Sequence, residues 1–283
     1  MLTSNQLISV IFTTYNSTAW LEKVLWGFHF QSDKHFEIVI ADDGSNEDTA
    51  ELIKRFRQHT HISITHVWQE DEGFQKCRIM NKALLEAKGE YVIFTDGDCI
   101  PRKDFVSVHR HKADKGYYLS GGYFKLPMSI SQAITREDIE NGNAFSPEWL
   151  LAHGLKKTFK LQKLSANNFS AYWLNHLTPT KRTWNGHNAS GWKSDIFAVN
   201  GYDERMQYGG QDCELGFRLR HSGIKAKQIR YSAIVVHLDH SRGYATPEAI
   251  ANSARIKKQT LQNNSTFTHY GLSQYINSTK RTQ

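Results

Sequence analysis

Cysteine is scarce in this chain. Among 283 residues only Cys77, Cys99 and Cys213 occur, far apart and in no CxxC pair. That odd number and spacing indicate neither a disulfide framework nor a zinc cluster and predict reduced, mostly buried thiols. Proline numbers five, and no Pro/Gly-rich stretch marks a linker. No internal repeat is visible. No apolar run approaches the roughly 18 residues that a spanning helix requires. The first residues lack the basic, apolar, small-residue order of a secretory signal. The expectation is therefore a cytoplasmic chain, and Asn-x-Ser/Thr matches such as Asn16-Ser17-Thr18 carry no weight.

What is present argues for one compact domain, with room for a small appendage: 39% hydrophobic residues, 12% aromatics and 22% charged residues exclude disorder. The net charge of +7 and pI near 9.2 first suggest a nucleic-acid binder. The charge is divided, however: −6 over residues 1–100, +7 over 101–200 and +6 over 201–283. The acidic first part and the basic remainder face different partners, or different parts of one.

Strand and helix patterns alternate along the first hundred residues. Leu7–Phe12 (LISVIF), Glu37–Ala41 (EIVIA), Ile62–Trp68 and Tyr91–Thr95 read as buried strands. Between them lie a helix bearing Leu21, Val24, Leu25 and Phe28, capped by Ser17 or Asn16, and one bearing Leu52, Ile53 and Phe56, capped by Ser45. A third helix runs from Lys76 to Lys88 and stops at Gly89. Such alternation predicts an α/β fold, a mainly parallel sheet covered by helices, with ligands at the carboxyl ends of its strands. Beyond Pro101 the pattern is mixed: a strand over Tyr117–Phe124, an irregularly helical basic and aromatic stretch over 130–182, helix over 194–222 and a strand over Ala233–His237. From Thr246 a polar segment reads as a helix laid over the domain or as a mobile tail.

Three acidic clusters stand out, two of them at strand ends. In Asp96-Gly97-Asp98, after YVIFT, residues two apart project to one side of an extended segment, and the glycine admits a ligand to the backbone. Two hard oxygen donors there suit Mg²⁺ or Mn²⁺. Asp42-Asp43-Gly44-Ser45 is no phosphate cradle, because its carboxylates would repel a diphosphate; an imide N–H of a base, or a ribose, is a better partner. Gly209-Gly210-Gln211-Asp212-Cys213-Glu214 opens a helix whose dipole alone accounts for the acids, yet Asp212 is also placed to act as a general base. His237 ends the AIVV strand and His240 follows; either imidazole can complete a divalent site. His109 and His111 read as ordinary structural residues.

In this order these segments, with Val10–Asn16 and Gly201-Tyr202-Asp203-Glu204, resemble family 2 glycosyltransferases of the GT-A fold; the later half is similar to the galactosyltransferase-like C-terminal half of bacterial polysaccharide synthases. The resemblance implies a single Rossmann-like GT-A domain over residues 1–245. Its nucleotide-binding half would be 1–100 and its acceptor and catalytic half 101–245, with residues 246–283 as a polar tail or helix. It implies Thr13 and Tyr15 in the nucleotide pocket, Asp43 on the uracil N–H, Asp96 on the ribose or a metal-bound water, and Asp98 with His237 on Mn²⁺ or Mg²⁺. Phe74 and Lys76 become nucleotide contacts, with the start of the third helix as their plain alternative. Tyr208 becomes a sugar-stacking ring, with a core aromatic as its alternative, and Asp212 the base. Gln211 departs from the Glu that many relatives carry, which bears on sugar preference.

The implied activity is metal-dependent, inverting transfer of a hexose or N-acetylhexosamine from a UDP-sugar to a bacterial surface glycan or glycolipid, such as lipopolysaccharide. No nucleic-acid partner is expected. The basic half would touch the inner face of the membrane peripherally, and Trp149, Tyr172, Trp173 and Trp184 mark an acceptor side. The rivals are a sugar nucleotidyltransferase, which would carry a Gly-rich basic loop after the first strand where this chain has TTYNST, an idle sugar-nucleotide binder, and a non-enzymatic nucleic-acid module, which the acidic first third disfavours.

Overall fold

The structure, a computed structural model, describes residues 2–166, 168–241 and 245–279. Its strands are β1 (Ile8–Thr14), β2 (Phe36–Asp42), β3 (Ile64–Trp68), β4 (Tyr91–Asp96), β5 (Cys99–Pro101), β6 (Tyr117–Ser120), β7 (Gly122–Lys125), β8 (Ala189–Trp192), β9 (Lys225–Gln228) and β10 (Ile234–His237). The α-helices are α1 (Thr18–His29), α2 (Glu47–Phe56), α3 (Lys76–Glu86), α4 (Phe105–Lys112), α5 (Met128–Ala133), α6 (Arg136–Glu140), α7 (Pro147–Ala152), α8 (Gln162–Ser165), α9 (Asn168–Leu177), α10 (Lys193–Ala198), α11 (Gln211–His221), α12 (Pro247–Gln262) and α13 (Ser273–Thr279).

Seven strands form one sheet in the order β3-β2-β1-β4-β8-β6-β9, and β5-β10-β7 form a smaller one. Strands β1 to β4 pair in parallel, whereas β8 runs antiparallel to both β4 and β6. Alternation sends Val10, Phe12, Ile38, Ile40 and Ile93 to one face, where α1, α2 and α4 cover them. Ile11, Val39, Val92 and Phe94 point to the other, under α3 and α11. Burial on both faces is why these strands read as unbroken apolar runs. Each fully buried Phe or Ile contributes about 1.5–3 kcal/mol to this core.

Register aligns the carboxyl ends. Thr14 lies opposite Asp42 on β2, and Thr13 opposite Asp96 on β4. One sheet edge therefore presents the turns after β1, β2 and β4 together. The smaller sheet extends that edge, because β5 follows directly from Asp98 and pairs Cys99 with His237 of β10.

Several local expectations change. The stretch Tyr117–Phe124 is not one strand but two in different sheets, divided at Gly121, where a Cβ would lie 2.0 Å from Asn188 Oδ1. Neither Ser17 nor Ser45 caps its helix by a side-chain bond. Ser45 Oγ accepts instead from the Asn16 N–H at 2.9 Å, tying the turn after β1 to the turn after β2. Helix α3 ends at Glu86, short of Gly89, which is glycine because a Cβ there would meet Ser9 N at 2.6 Å. Strands β5, β8 and β9 have no counterpart among the expected elements. Helix α12, the segment after Thr246, packs on α11 through buried Ile256 and a Thr260 Oγ1–H bond to Glu214 Oε1 of 2.8 Å.

Histidine 109 is a satisfied core residue: Nδ1 bonds Ser190 Oγ at 2.7 Å, Nε2 bonds Asn188 Oδ1 at 3.0 Å, and burial lowers its pKa to about 3. Cys77 and Cys99 are buried free thiols and Cys213 is partly exposed. No helix of the described residues is long and apolar enough to cross a membrane.

Candidate functional site

The carboxyl edge opens into a cleft of about 910 Å³. Thr13, Tyr15, Asp43, Phe74, Lys76, Asp96, Asp98, Tyr208, Gln211, Asp212 and His237 all line it, so the structure gathers every sequence-predicted site residue into one space. His240 lines it too, with Asp71, Trp20 and His187.

Asp43 sits just past the end of β2. Its Oδ1 accepts from Gln69 Nε2 at 2.6 Å and its Oδ2 from the Gln75 N–H at 2.9 Å, leaving further lone pairs for a ligand. Burial raises this carboxyl to about 6, against the pull of those two hydrogen bonds. Asp42, its neighbour, is fully buried and structural: Oδ1 accepts from the Ser45 N–H and Oδ2 meets His66 Nε2, both at 2.8 Å. Tyr15, on the turn after β1, donates its hydroxyl to Asp71 Oδ2 at 2.8 Å, which raises the phenol pKa.

The two acids of Asp96-Gly97-Asp98 do not converge on one point, because Gly97 and Asp98 leave the strand in a turn. Asp96 faces inward: its Oδ1 accepts from Lys76 Nζ at 2.6 Å and from Thr13 Oγ1 at 3.4 Å. Burial alone would raise this carboxyl, and the Lys76 ammonium more than offsets it, holding Asp96 below the ordinary range. Lys76 begins α3, and Asp96, Asp212 and Asp98 together overcome its burial and hold it protonated. Gly97 is required by the fold rather than by a ligand: its N–H bonds the Thr13 carbonyl at 2.9 Å, and a Cβ would lie 2.5 Å from that oxygen.

Asp98 faces the histidines. Its Oδ2 is 3.1 Å from His240 Nε2 and its Oδ1 3.8 Å from His237 Nε2. Each histidine directs Nδ1 to a carbonyl, His237 to Leu238 O at 2.8 Å and His240 to Ser241 O at 2.7 Å. Facing a carbonyl, each Nδ1 acts as the donor, and each Nε2 is left turned toward the carboxylate. A carboxylate and two imidazole nitrogens turned to one corner of the cleft are a donor set that fits a divalent ion. Burial raises Asp98, while His237 and His240 pull it down. Cys99 Sγ also lies near Asp98, but burial pushes its thiol far up, leaving a protonated sulfur that suits neither Mn²⁺ nor Mg²⁺.

Asp212 is in the first turn of α11, after Gly209 and Gly210, whose φ values of +109° and +90° favour glycine. Tyr202 donates its hydroxyl to Oδ1 at 3.4 Å, and Gly186 comes so close that a Cβ there would lie 2.7 Å from Oδ2. Burial raises the Asp212 carboxyl, with Lys76 opposing. Gln211 uses Oε1 to accept the Gly209 N–H at 3.0 Å, so its amide NH₂ is the group presented to the cleft. Phe74 and Tyr208 meet edge to face, with ring centroids 6.1 Å apart, forming one wall.

Of the expected acceptor-side aromatics, Trp184 is fully buried between Phe94 and Tyr118, and Trp149 stacks on His153 at 3.6 Å. Trp184 is therefore closed to a glycan, and Trp149 is only partly exposed. Only Tyr172 and Trp173 are exposed, on α9. His187 was outside the expected set: it precedes β8, packs edge-on to Tyr123 at 4.4 Å, and burial lowers its pKa to about 4. It lies in an irregular loop, where no periodicity singles it out.

A family model described as glycosyl transferase family 2 matches residues 9–174. Glycosyltransferase YfnE of Bacillus subtilis is 25% identical over 265 residues, covering 82% of this chain and 64% of the relative. Chondroitin synthase of Pasteurella multocida is 26% identical over 247 residues, covering 76% of this chain and 23% of the relative. The chain thus spans less than two thirds of the length of these relatives. Among solved structures, the Pyrobaculum calidifontis mannosyltransferase PcManGT with GDP-Man and Mn²⁺ gives a TM-score of 0.58 at 20% identity, covering 86% of this chain and 61% of that one. S. aureus TarS 1-349 with UDP-GlcNAc gives 0.60 at 16% identity, covering 90% and 66%. These likenesses show a shared GT-A fold.

Proposed function

The chain belongs to glycosyl transferase family 2 and has the GT-A fold, and from that premise we propose a metal-dependent, inverting transferase that moves a hexose or N-acetylhexosamine from a UDP-sugar to a hydroxyl of a bacterial surface glycan or glycolipid. The observation that carries this reading is the meeting of Asp43, Asp98 with the two histidines, and Asp212 in one cleft. In this proposal residues 1–100 supply the donor half and 101–245 the acceptor half, with α12 packed on α11.

In this reading Asp43 accepts the uracil imide N–H, beside Thr13 and Tyr15. Asp96, neutralised by Lys76, offers its second oxygen to the ribose. Phe74 and Tyr208 wall the sugar, and the Gln211 amide donates to one of its hydroxyls. Asp98, His237 and His240 would hold the divalent ion, which when bound neutralises charge on the diphosphate. Asp212, whose burial makes it a stronger base than an exposed aspartate, takes the proton of the acceptor hydroxyl. That oxygen bonds to the anomeric carbon as the bond from carbon to the diphosphate oxygen breaks on the opposite face. The electron pair leaves with UDP, and the configuration inverts.

A panel of UDP- and GDP-sugars tests this, with release of free nucleotide measured in EDTA and after Mn²⁺ is restored. Turnover is expected with UDP-sugars and metal only. His237→Ala and His240→Ala should each raise the Mn²⁺ requirement by at least about tenfold. Turnover indifferent to EDTA, or preference for GDP-sugars, contradicts the proposal.

A further inference from the structure

Helix α9 is amphipathic in the inverted sense. Its inward side carries buried Ala171 and Asn175. Asn175 commits both ends of its amide to the loop before β10, donating to Ser232 Oγ and accepting from the Tyr231 N–H, each at 2.9 Å. Its outward side carries Phe169, Tyr172, Trp173, His176 and Leu177, the i, i+3, i+4, i+7, i+8 spacing that ordinarily marks a buried stripe. Here the four apolar members are 75%, 52%, 49% and 73% exposed, and Phe159, ahead of α8, is 79% exposed. Contiguous exposed apolar surface of this kind marks an interaction site.

The surrounding charge indicates the partner. Residues 149–194 contain no Asp or Glu and seven Lys or Arg. Lys156, Lys157 and Lys160 are exposed ahead of α9, and Lys181 and Arg182 are exposed just after it. A second copy of this face would bring cation against cation, and a nucleic acid would leave aliphatic Leu177 in water. A surface of anionic headgroups over acyl chains satisfies both features. We propose that this face docks the chain on an anionic lipid bilayer, its aromatic stripe entering the interfacial layer and its lysines engaging the headgroups.

The face is connected to the cleft. Lys163 of α8 donates to the Tyr123 carbonyl at 3.3 Å and lies 5.7 Å from that ring. The same ring packs on His187 and stands 6.1 Å from His237. Docking through α8 and α9 therefore holds the cleft close to the bilayer, where a lipid-linked acceptor would be found. Only that last clause rests on the proposed transferase function.

The test is co-sedimentation of the full chain with vesicles of phosphatidylcholine alone or with about 30% phosphatidylglycerol. Wild type should partition to the anionic vesicles at least about tenfold more strongly, and lose that preference in high salt. Phe169→Ser/Trp173→Ser should weaken binding about tenfold. Lys156→Glu/Lys157→Glu/Lys160→Glu should weaken it by at least as much, since each cation near an anionic leaflet is worth about fivefold. All five side chains are exposed, and circular dichroism checks the fold of each variant. Wild type left in the supernatant, equal binding to both vesicles, or variants that bind as wild type overturn the proposal. So does a dimer in sedimentation velocity that the aromatic variant converts to monomer, or tighter binding to random oligonucleotides that the same variant abolishes. UDP release plays no part in this readout, so the two proposals fail separately.

Discussion

Lys76 Nζ lies 2.6 Å from Asp96 Oδ1, joining the first residue of α3 to the last of β4. One acid of Asp96-Gly97-Asp98 is thereby neutralised by the chain itself, while the other is left to the histidines. Lys76→Met should cost about 3 kcal/mol of stability at neutral pH, because it strands a buried carboxylate. The deficit should shrink in acid, where Asp96, no longer held down by Lys76, takes up a proton. Urea unfolding at both pH values checks this; a deficit independent of pH rules it out.

Asp212→Asn separates chemistry from binding. Loss of the base should lower kcat by about a thousandfold while UDP affinity stays within about twofold. Calorimetry with UDP and a turnover assay are the paired measurements. For wild type the acid limb of the rate profile should lie above the ordinary aspartate value of about 4, since burial raises this carboxyl. Full activity in the variant would remove Asp212 from the mechanism.

Asp43 makes stability depend on pH. Its folded pKa of about 6 exceeds the unfolded value, so the folded state binds the proton more tightly. That stabilisation is complete below about pH 4 and is lost as pH rises through about 6. Asp43→Asn should therefore gain roughly 2 kcal/mol over wild type at about pH 7.5 and little at pH 4, while donor affinity falls. Denaturation midpoints at the two pH values decide it, and an equal difference at both would falsify the assignment.

Arg218 and Glu214 form a fully buried pair on α11, 2.7 Å apart, and Thr260 of α12 adds its hydroxyl to the same carboxylate. Arg218→Met should cost about 3–5 kcal/mol and Thr260→Val about 1–2 kcal/mol. For a chain this long each kcal/mol lowers Tm by about 2–4 °C. Thermal melts of both variants, and of the double variant, measure the coupling between the helices. Strict additivity would show that Thr260 acts independently of the pair.

The strands that carry the cleft were legible because each is an apolar run closed by a polar turn: LISVIF, EIVIA and YVIFT need no tertiary information. Strand β8 was not. Its Ser190 is buried because it bonds Tyr91 and His109, partners 99 and 81 residues away. The division of Tyr117–Phe124 at Gly121 depends on Asn188, which no local pattern announces. Within the cleft, the identities of the acids were readable, but not their separate orientations. Those follow from Lys76 reaching across to β4, from the turn at Gly97, and from the carbonyl bonds that aim His237 and His240. Aromatic content alone misplaced Trp184, whose indole N–H bonds the Tyr202 hydroxyl inside the core.

The antiparallel pairing of Cys99 with His237 carries a consequence for how the protein is made. A chain emerging from the ribosome presents β1 to β4, and with them Asp43, Lys76 and Asp96, within residues 8–96. The strand that brings His237 to Asp98 is not yet synthesised. Contacts of such long sequence separation form late, after their loop entropy has been overcome. The donor end of the cleft can thus take shape early in translation, whereas the cation-binding corner must wait for β10. A nascent chain stalled before Ile234 would lack the histidines that complete the site.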